Sequence, residues 1–154
     1  MKRITIVIAG LFVMLQCAAL SDDREVAAGN TIRAFYKAFD DGFVGPANYA
    51  AEDWNHINPY GGRDRGREAT LKEVREVHQT FLKGTTDTIE KMDIRFASPD
   101  VAVGTVTSVM SPFTSPDGVK HGVERHIRTF VVVQRNRRWL IMQDQNTTVV
   151  DTQR

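Results

Sequence analysis

Cysteine is almost missing from this 154-residue chain, and the single one is Cys17. An intrachain disulfide and a thiolate metal set are therefore excluded. No His-x-His or His-x-x-x-His pair and no carboxylate cluster occurs at metal-ligand spacing, so no metal is expected. Gly-x-Gly-x-x-Gly and phosphate-loop motifs are also missing, which argues against a nucleotide cofactor, and no cofactor is expected. Charge of one sign is not in excess: the net charge is +1. That balance carries no electrostatic footprint for nucleic acid or an anionic membrane surface. There is no internal repeat and no low-complexity linker. What remains is one domain's length of chain with enough apolar residues for a core.

The longest apolar run, Ile4 to Leu15, is too short to span a bilayer comfortably. Lys2 and Arg3 precede it, and Ala18, Ala19 and Ser21 follow it before the charged Asp22-Asp23-Arg24. This order matches a secretory signal peptide over residues 1–21, with cleavage after Ser21, or after Ala19 as the alternative. Residues 22–154 then form the mature, exported domain, periplasmic or secreted, with no membrane association once the leader is gone. Cys17 inside the leader is a candidate for lipid attachment, but Gln16 before it is larger than a lipoprotein signal prefers.

Ile32, Phe35, Tyr36 and Phe39 repeat at helical spacing, which predicts a helix over Asp23–Asp40. Gly45-Pro46 is expected to open a short second helix. Asp53–Asn58 alternates as a strand, and Pro59–Arg65 is a loop. The stripe Leu71, Val74, His78 and Phe81 predicts a helix over Gly66–Lys83. Four strands follow: Thr88–Phe96, Val101–Met110, Lys120–Gln134 and Arg138–Val150. Helices first and a strand meander after them predict an α+β fold, with about three N-terminal helices on one face of an antiparallel sheet. Long neighbouring strands coil strongly, so the sheet should curve into a wall with a hollow beneath it.

Six short motifs occur in order along the chain. They are Asp53-Trp54, Asn58 with Gly61, Gly66-Arg67, Ile127-Arg128-Thr129, Trp139-Leu140-Ile141 and Gln145-Asn146-Thr147. Their order and spacing resemble the nuclear-transport-factor-like, or SnoaL-like, superfamily of α+β cones, and most closely its SgcJ/EcaC subgroup. The resemblance covers roughly residues 24–150. It implies a cystatin-like cone with a pocket on one face of the sheet and a second subunit on the other, hence a homodimer. The subgroup carries an oxidoreductase label, which the missing nucleotide motif does not support. One departure stands out. The segment Trp54-Asn55-His56-Ile57-Asn58 is more polar than the aliphatic strand expected there.

Candidate chemistry centres on two histidines. His78 lies on the apolar stripe of its helix, where it is either a pocket acid–base group or a core histidine with one partner. His56 shares strand parity with Trp54 and Asn58, which would place an indole, an imidazole and an amide on one wall. Asn58 has a second reading as the cap of the following turn. Tyr60 and Phe81 are candidate ligand contacts. On the last strand Gln143 and Gln145 share the parity of Trp139 and are candidate hydrogen-bonding groups, with Asp144 on the opposite face. Asp53 and Asp93 read as solvated. No carboxylate forms a readable pair with a histidine. Three functions follow: a module binding a small apolar or aromatic molecule; an isomerase, hydrolase or dehydratase using His78 or His56; and a non-catalytic structural dimer with a filled cone.

Overall fold

A computed structural model describes residues 5–150, with side chains from residue 23 onward. The signal-peptide cleavage site and Cys17 lie outside the described side chains. Helix α1 spans Thr5–Asp40. It is followed by β1 (Ala50–Ile57), β2 (Arg63–Arg65), α2 (Arg67–Gln79) and β3 (Asp87–Ser98). Then come β4 (Val101–Met110), the two-residue strands β5 (Phe113–Thr114) and β6 (Lys120–His121), β7 (Glu124–Arg135) and β8 (Arg138–Thr148). Among the described residues no helix is long and apolar enough to cross a membrane.

The expected α+β architecture is present, but the strand expected over Lys120–Gln134 breaks into β6, paired with β5 in a separate sheet, and β7, and the loop expected over Pro59–Arg65 contains β2; the helices and the sheet differ as well. Among the described residues two helices are formed rather than three, because Gly45-Pro46 lies in a turn region instead of starting a helix. Only nine residues separate Asp40 from Ala50, too few for a helix with a connection on each side. The loop carbonyls find another partner: Arg75 donates from Nε to the Phe43 carbonyl at 2.7 Å and from Nη2 to that of Gly45 at 3.1 Å. The sheet is mixed rather than antiparallel. Its order is β2-β1-β8-β7-β4-β3, and β1 runs parallel to β8. From β1 and β2 the chain crosses through α2 to β3 at the far edge, and the meander β3-β4-β7-β8 returns, so the last strand ends up beside the first.

The α1 stripe packs into the concave face as the sequence pattern predicts. Ile32 and Phe35 are fully buried, with Tyr36 and Phe39 close behind. Phe35 is the centre of an aromatic cluster, edge-on to Phe130 at 5.3 Å and to Trp54 at 6.1 Å. Gly104 lets α1 approach β4: a Cβ there would collide with the Ile32 Cδ1 methyl. These side chains fill one half of the cone solidly. The other half, over the end of β1, the start of β7 and the end of β8, is bounded by α2 and stays partly hollow.

One irregularity decides which side chains reach that hollow. In the β7–β8 ladder Val131 pairs with Gln143, but Val132 pairs with Ile141. Met142 is the extra residue of a β-bulge. Before the bulge Trp139 and Ile141 face inward; after it Asp144 and Asn146 do. Because side chains alternate at a period of two, one inserted residue turns every later side chain to the other face. Gln143 and Gln145, expected on the pocket wall, therefore sit on the opposite face, and Gln145 is exposed.

Candidate active site

Asp144 is the anchor of the site, fully buried at the centre of the sheet. The strand register places it beside His56 on parallel β1. Trp54, two residues earlier on the same face, is its diagonal neighbour, and Arg128 on β7 is its diagonal neighbour on the other side. The carboxylate accepts three hydrogen bonds: from Trp54 Nε1 at 2.8 Å, His56 Nδ1 at 2.9 Å and Arg128 Nη1 at 3.1 Å. Burial alone would raise the Asp144 carboxyl, but the charges and hydrogen bonds of His56, Arg128 and Trp54 outweigh it and hold the group below its ordinary value. It is a carboxylate at neutral pH.

An ionised carboxylate only accepts hydrogen bonds, so in the neutral imidazole the His56 proton sits on Nδ1 and the lone pair on Nε2. Nε2 makes no hydrogen bond among the described residues, and the ring lines the hollow. This is an imidazole fixed in one tautomer by a buried carboxylate, with its basic nitrogen turned to open space. Such an arrangement can take a proton from a bound molecule and return it.

The hollow has a cavity volume of ≈ 100 Å³, within ≈ 700 Å³ of empty space that includes its open mouth. Phe35, Phe39, Phe43, Val74 and Met110 form its apolar floor and sides. Phe81, in the turn after α2, and Phe113 on β5 stand near the mouth, 6.3 Å apart between ring centres. Asn58 and Tyr60 also line it. Asn58 plays the turn-capping part, its Oδ1 accepting from the Tyr60 and Gly62 amides at 3.0 and 2.9 Å. Tyr60 is largely exposed at the rim. Trp54 is buried in the core and reaches the site only through its indole N–H.

The four histidines have different surroundings. His78 lines the cavity without a hydrogen-bond partner among the described residues, edge-on to Phe39 at 4.4 Å and Phe43 at 5.1 Å. Burial, with the Arg128 charge added, pushes it down to about 4, so it is neutral at pH 7. His126 is saturated: Nε2 meets Glu124 at 3.3 Å and Nδ1 meets the Asn146 amide nitrogen at 3.2 Å. His121 is saturated as well, by Glu124 at 2.8 Å and Ser115 at 3.2 Å, and it stacks on Phe113. Only His56 couples an orienting carboxylate to an unoccupied ring nitrogen.

Arg128 is a second buried charge. Its guanidinium lies over the Phe35 ring at 4.8 Å and approaches Asp87 at 4.0 Å as well as Asp144. Asp87 is itself buried, and neither of its carboxylate oxygens has a hydrogen-bond partner. Asp53 and Asp93 are exposed as expected, paired with Arg135 and Lys91. Among the described residues no group of three His, Cys, Asp or Glu side chains is arranged to hold a metal ion.

The sequence reading places Asp144 on the opposite face, and it gives no site role to Arg128, His126, Asn146 or Glu73. Arg128 had a readable signal, since it alternates with His126 and Phe130 on one face of β7. Asp144 had none, because the bulge at Met142 reverses its parity.

No family model matches the chain, and no curated protein matches it. Solved structures do. An uncharacterised protein with a cystatin-like fold from Caulobacter vibrioides has a TM-score of 0.77 at 22% identity, over 82% of this chain and 90% of that one. A hexachlorocyclohexane dehydrochlorinase of type 2 has a TM-score of 0.76 at 13% identity, over 86% and 90%. A ketosteroid isomerase-like protein from Erwinia carotovora atroseptica has a TM-score of 0.67 at 13% identity, over 81% and 95%. At these identities the likeness is one of fold, and the chain has the cystatin-like, SnoaL-like α+β cone fold.

Proposed function

We propose that this chain binds a small, uncharged apolar or aromatic molecule in its cone and that His56, oriented by Asp144, moves a proton on it. The observation that carries the reading is the His56–Asp144 pair, with Nε2 open to an apolar cavity. A hydrogen-bonded base beside a largely apolar pocket suits removal of a proton from carbon, the step shared by isomerases and eliminating lyases. Of the structural neighbours, one is named a dehydrochlorinase and another ketosteroid isomerase-like. His78 serves as a neutral wall and hydrogen-bond donor rather than as the base, because it has no orienting carboxylate. The order of the sequence motifs supports placement in the SgcJ/EcaC subgroup. The leader-like N-terminus supports export, and the two-sided β8 supports a homodimer through the outer face of the sheet.

A thermal-shift screen of uncharged aryl ketones, followed by NMR of the stabilising compounds in deuterium oxide, tests the reading. Deuterium should enter at the carbon beside the carbonyl. His56→Gln should keep binding but slow exchange by about 10²-fold or more, the usual worth of general base catalysis. Binding without exchange would leave a ligand-binding module. Neither binding nor exchange would leave the structural dimer.

A further inference from the structure

We infer that Glu73 is the second proton carrier of the cavity, a general acid that acts with the His56 base, and that the chain eliminates water from uncharged β-hydroxycarbonyl compounds. This rests on the reading of His56 as the base.

Glu73 lies on α2 one turn before Val77, and both line the cavity. It is half-buried, and it has no hydrogen bond or ion pair to any described residue. Of the other carboxylates, Asp144 is engaged by three donors and Glu124 by His121 and His126, while Asp87, which has no hydrogen-bond partner, does not line the cavity. Glu73 alone presents an unpartnered carboxyl to bound molecules. Burial raises it above its ordinary value, the His56 charge opposes that rise, and the negative charges of Asp64 on β2 and Glu76 on α2 add to it. Glu124, His126 and Arg128 of β7 and His78 of α2 also line the cavity. Glu73 on α2 and His56 on β1 thus face one cavity, a carboxyl without a partner and an imidazole with an open ring nitrogen.

The need for a separate acid narrows the reaction. A single base can run a proton shift by returning the proton it took. Where the base still holds the proton from carbon as the C–O bond breaks, the leaving hydroxyl takes its proton from a second group. His56 Nε2 takes the proton from the carbon beside the carbonyl, and that C–H electron pair becomes the new C=C bond. The C–O bond breaks as Glu73 gives its proton to the hydroxyl, which departs as water. The imidazolium proton returns to the Glu73 carboxylate through that water, so no external reagent is consumed.

The probes are 4-hydroxy-4-phenylbutan-2-one and its acetate ester, both of which yield the same conjugated ketone. Acetate leaves without protonation, so only the alcohol should need Glu73. In Glu73→Gln, the rate of water elimination relative to acetate elimination should fall by about 10²-fold or more. Water elimination by wild type should also decline at alkaline pH, a limb missing for the acetate. Equal losses on both probes, or no loss on the alcohol, would overturn the role of Glu73 while leaving His56 as the base. Wild type without α-deuteration of either probe would overturn the base reading and this inference with it. Glu73→Asp, which keeps a carboxyl, should recover part of the lost rate.

Discussion

Replacing His78 with leucine should make the protein progressively more acid-tolerant relative to wild type, and the structure sets the window. The imidazole is 7% exposed, wedged between Phe39 and Phe43 and within the field of Arg128. Burial and that charge lower its pKa to about 4 from an unfolded value of 6.5. A depressed folded value means the unfolded chain binds the proton first, so stability falls as pH drops below about 6.5 and stops falling below about 4. One pKa unit corresponds to about 1.4 kcal/mol, so the whole displacement amounts to about 3 kcal/mol, and about 2 kcal/mol of it is expressed by pH 5. Other groups act in or near the window. Glu73 is raised and works in the opposite direction, whereas the lowered Asp144 and Asp53 act below their ordinary values. Subtracting the wild-type curve from that of His78→Leu cancels them. Urea unfolding of both proteins at pH 7.5, 6.5, 5.5 and 5.0 gives the difference directly. The variant should gain about 2 kcal/mol on wild type across that range. A difference that stays within 0.5 kcal/mol, a threshold of about the additivity error, would mean the ring is solvated and the cavity wall wrongly drawn.

Gly104→Ala should destabilise the domain by about 1–3 kcal/mol, because the new methyl meets the Ile32 side chain in a filled part of the core; chemical denaturation with an unchanged m-value measures it. Asp144→Leu should cost about 3–5 kcal/mol, since it strands the buried Arg128 beside an Asp87 that is 4.0 Å away; calorimetry of the variant against wild type checks this, and a loss under 1 kcal/mol would contradict the anchoring role. Sedimentation equilibrium at micromolar concentration should give a dimer, with a clean monomer counting against the outer-face interface. Intact mass of the exported protein should correspond to cleavage after Ser21, whereas a lipid-modified Cys17 would defeat that expectation.

The sequence pattern carried the fold further than it carried the site, for reasons that can be assigned to residues. Periodicity placed α1 from Asp23 onward, α2 and the four long strands, because each buries one face against the others and the pattern records that face. It did not reveal that β1 lies parallel to β8, since strand partners far apart in the chain leave no local trace. Nor did it reveal the bulge at Met142. Nothing in Ile141-Met142-Gln143 differs from a regular strand, so alternation counted from Trp139 put Gln143 and Gln145 on the cavity and Asp144 outside. The polar run Trp54-Asn55-His56 was the one visible sign. An imidazole and an indole two residues apart on a buried strand both need a hydrogen-bond acceptor, and Asp144 supplies it to both.

That shared carboxylate explains why structure and chemistry are hard to separate here. Asp144 compensates the guanidinium of Arg128, satisfies the buried indole of Trp54 and fixes the tautomer of His56. A buried ion pair is weak evidence for stability on its own, since a well-packed apolar pair often does as well. The third bond, to His56, has no counterpart in an apolar replacement. It costs the fold a buried charge and yields an imidazole with a defined lone pair facing a cavity. Retaining an expensive polar network in the half of the cone that stays hollow, while the other half is packed with Phe35, Trp54 and Phe130, is what a site for proton transfer requires and what a purely structural cone does not.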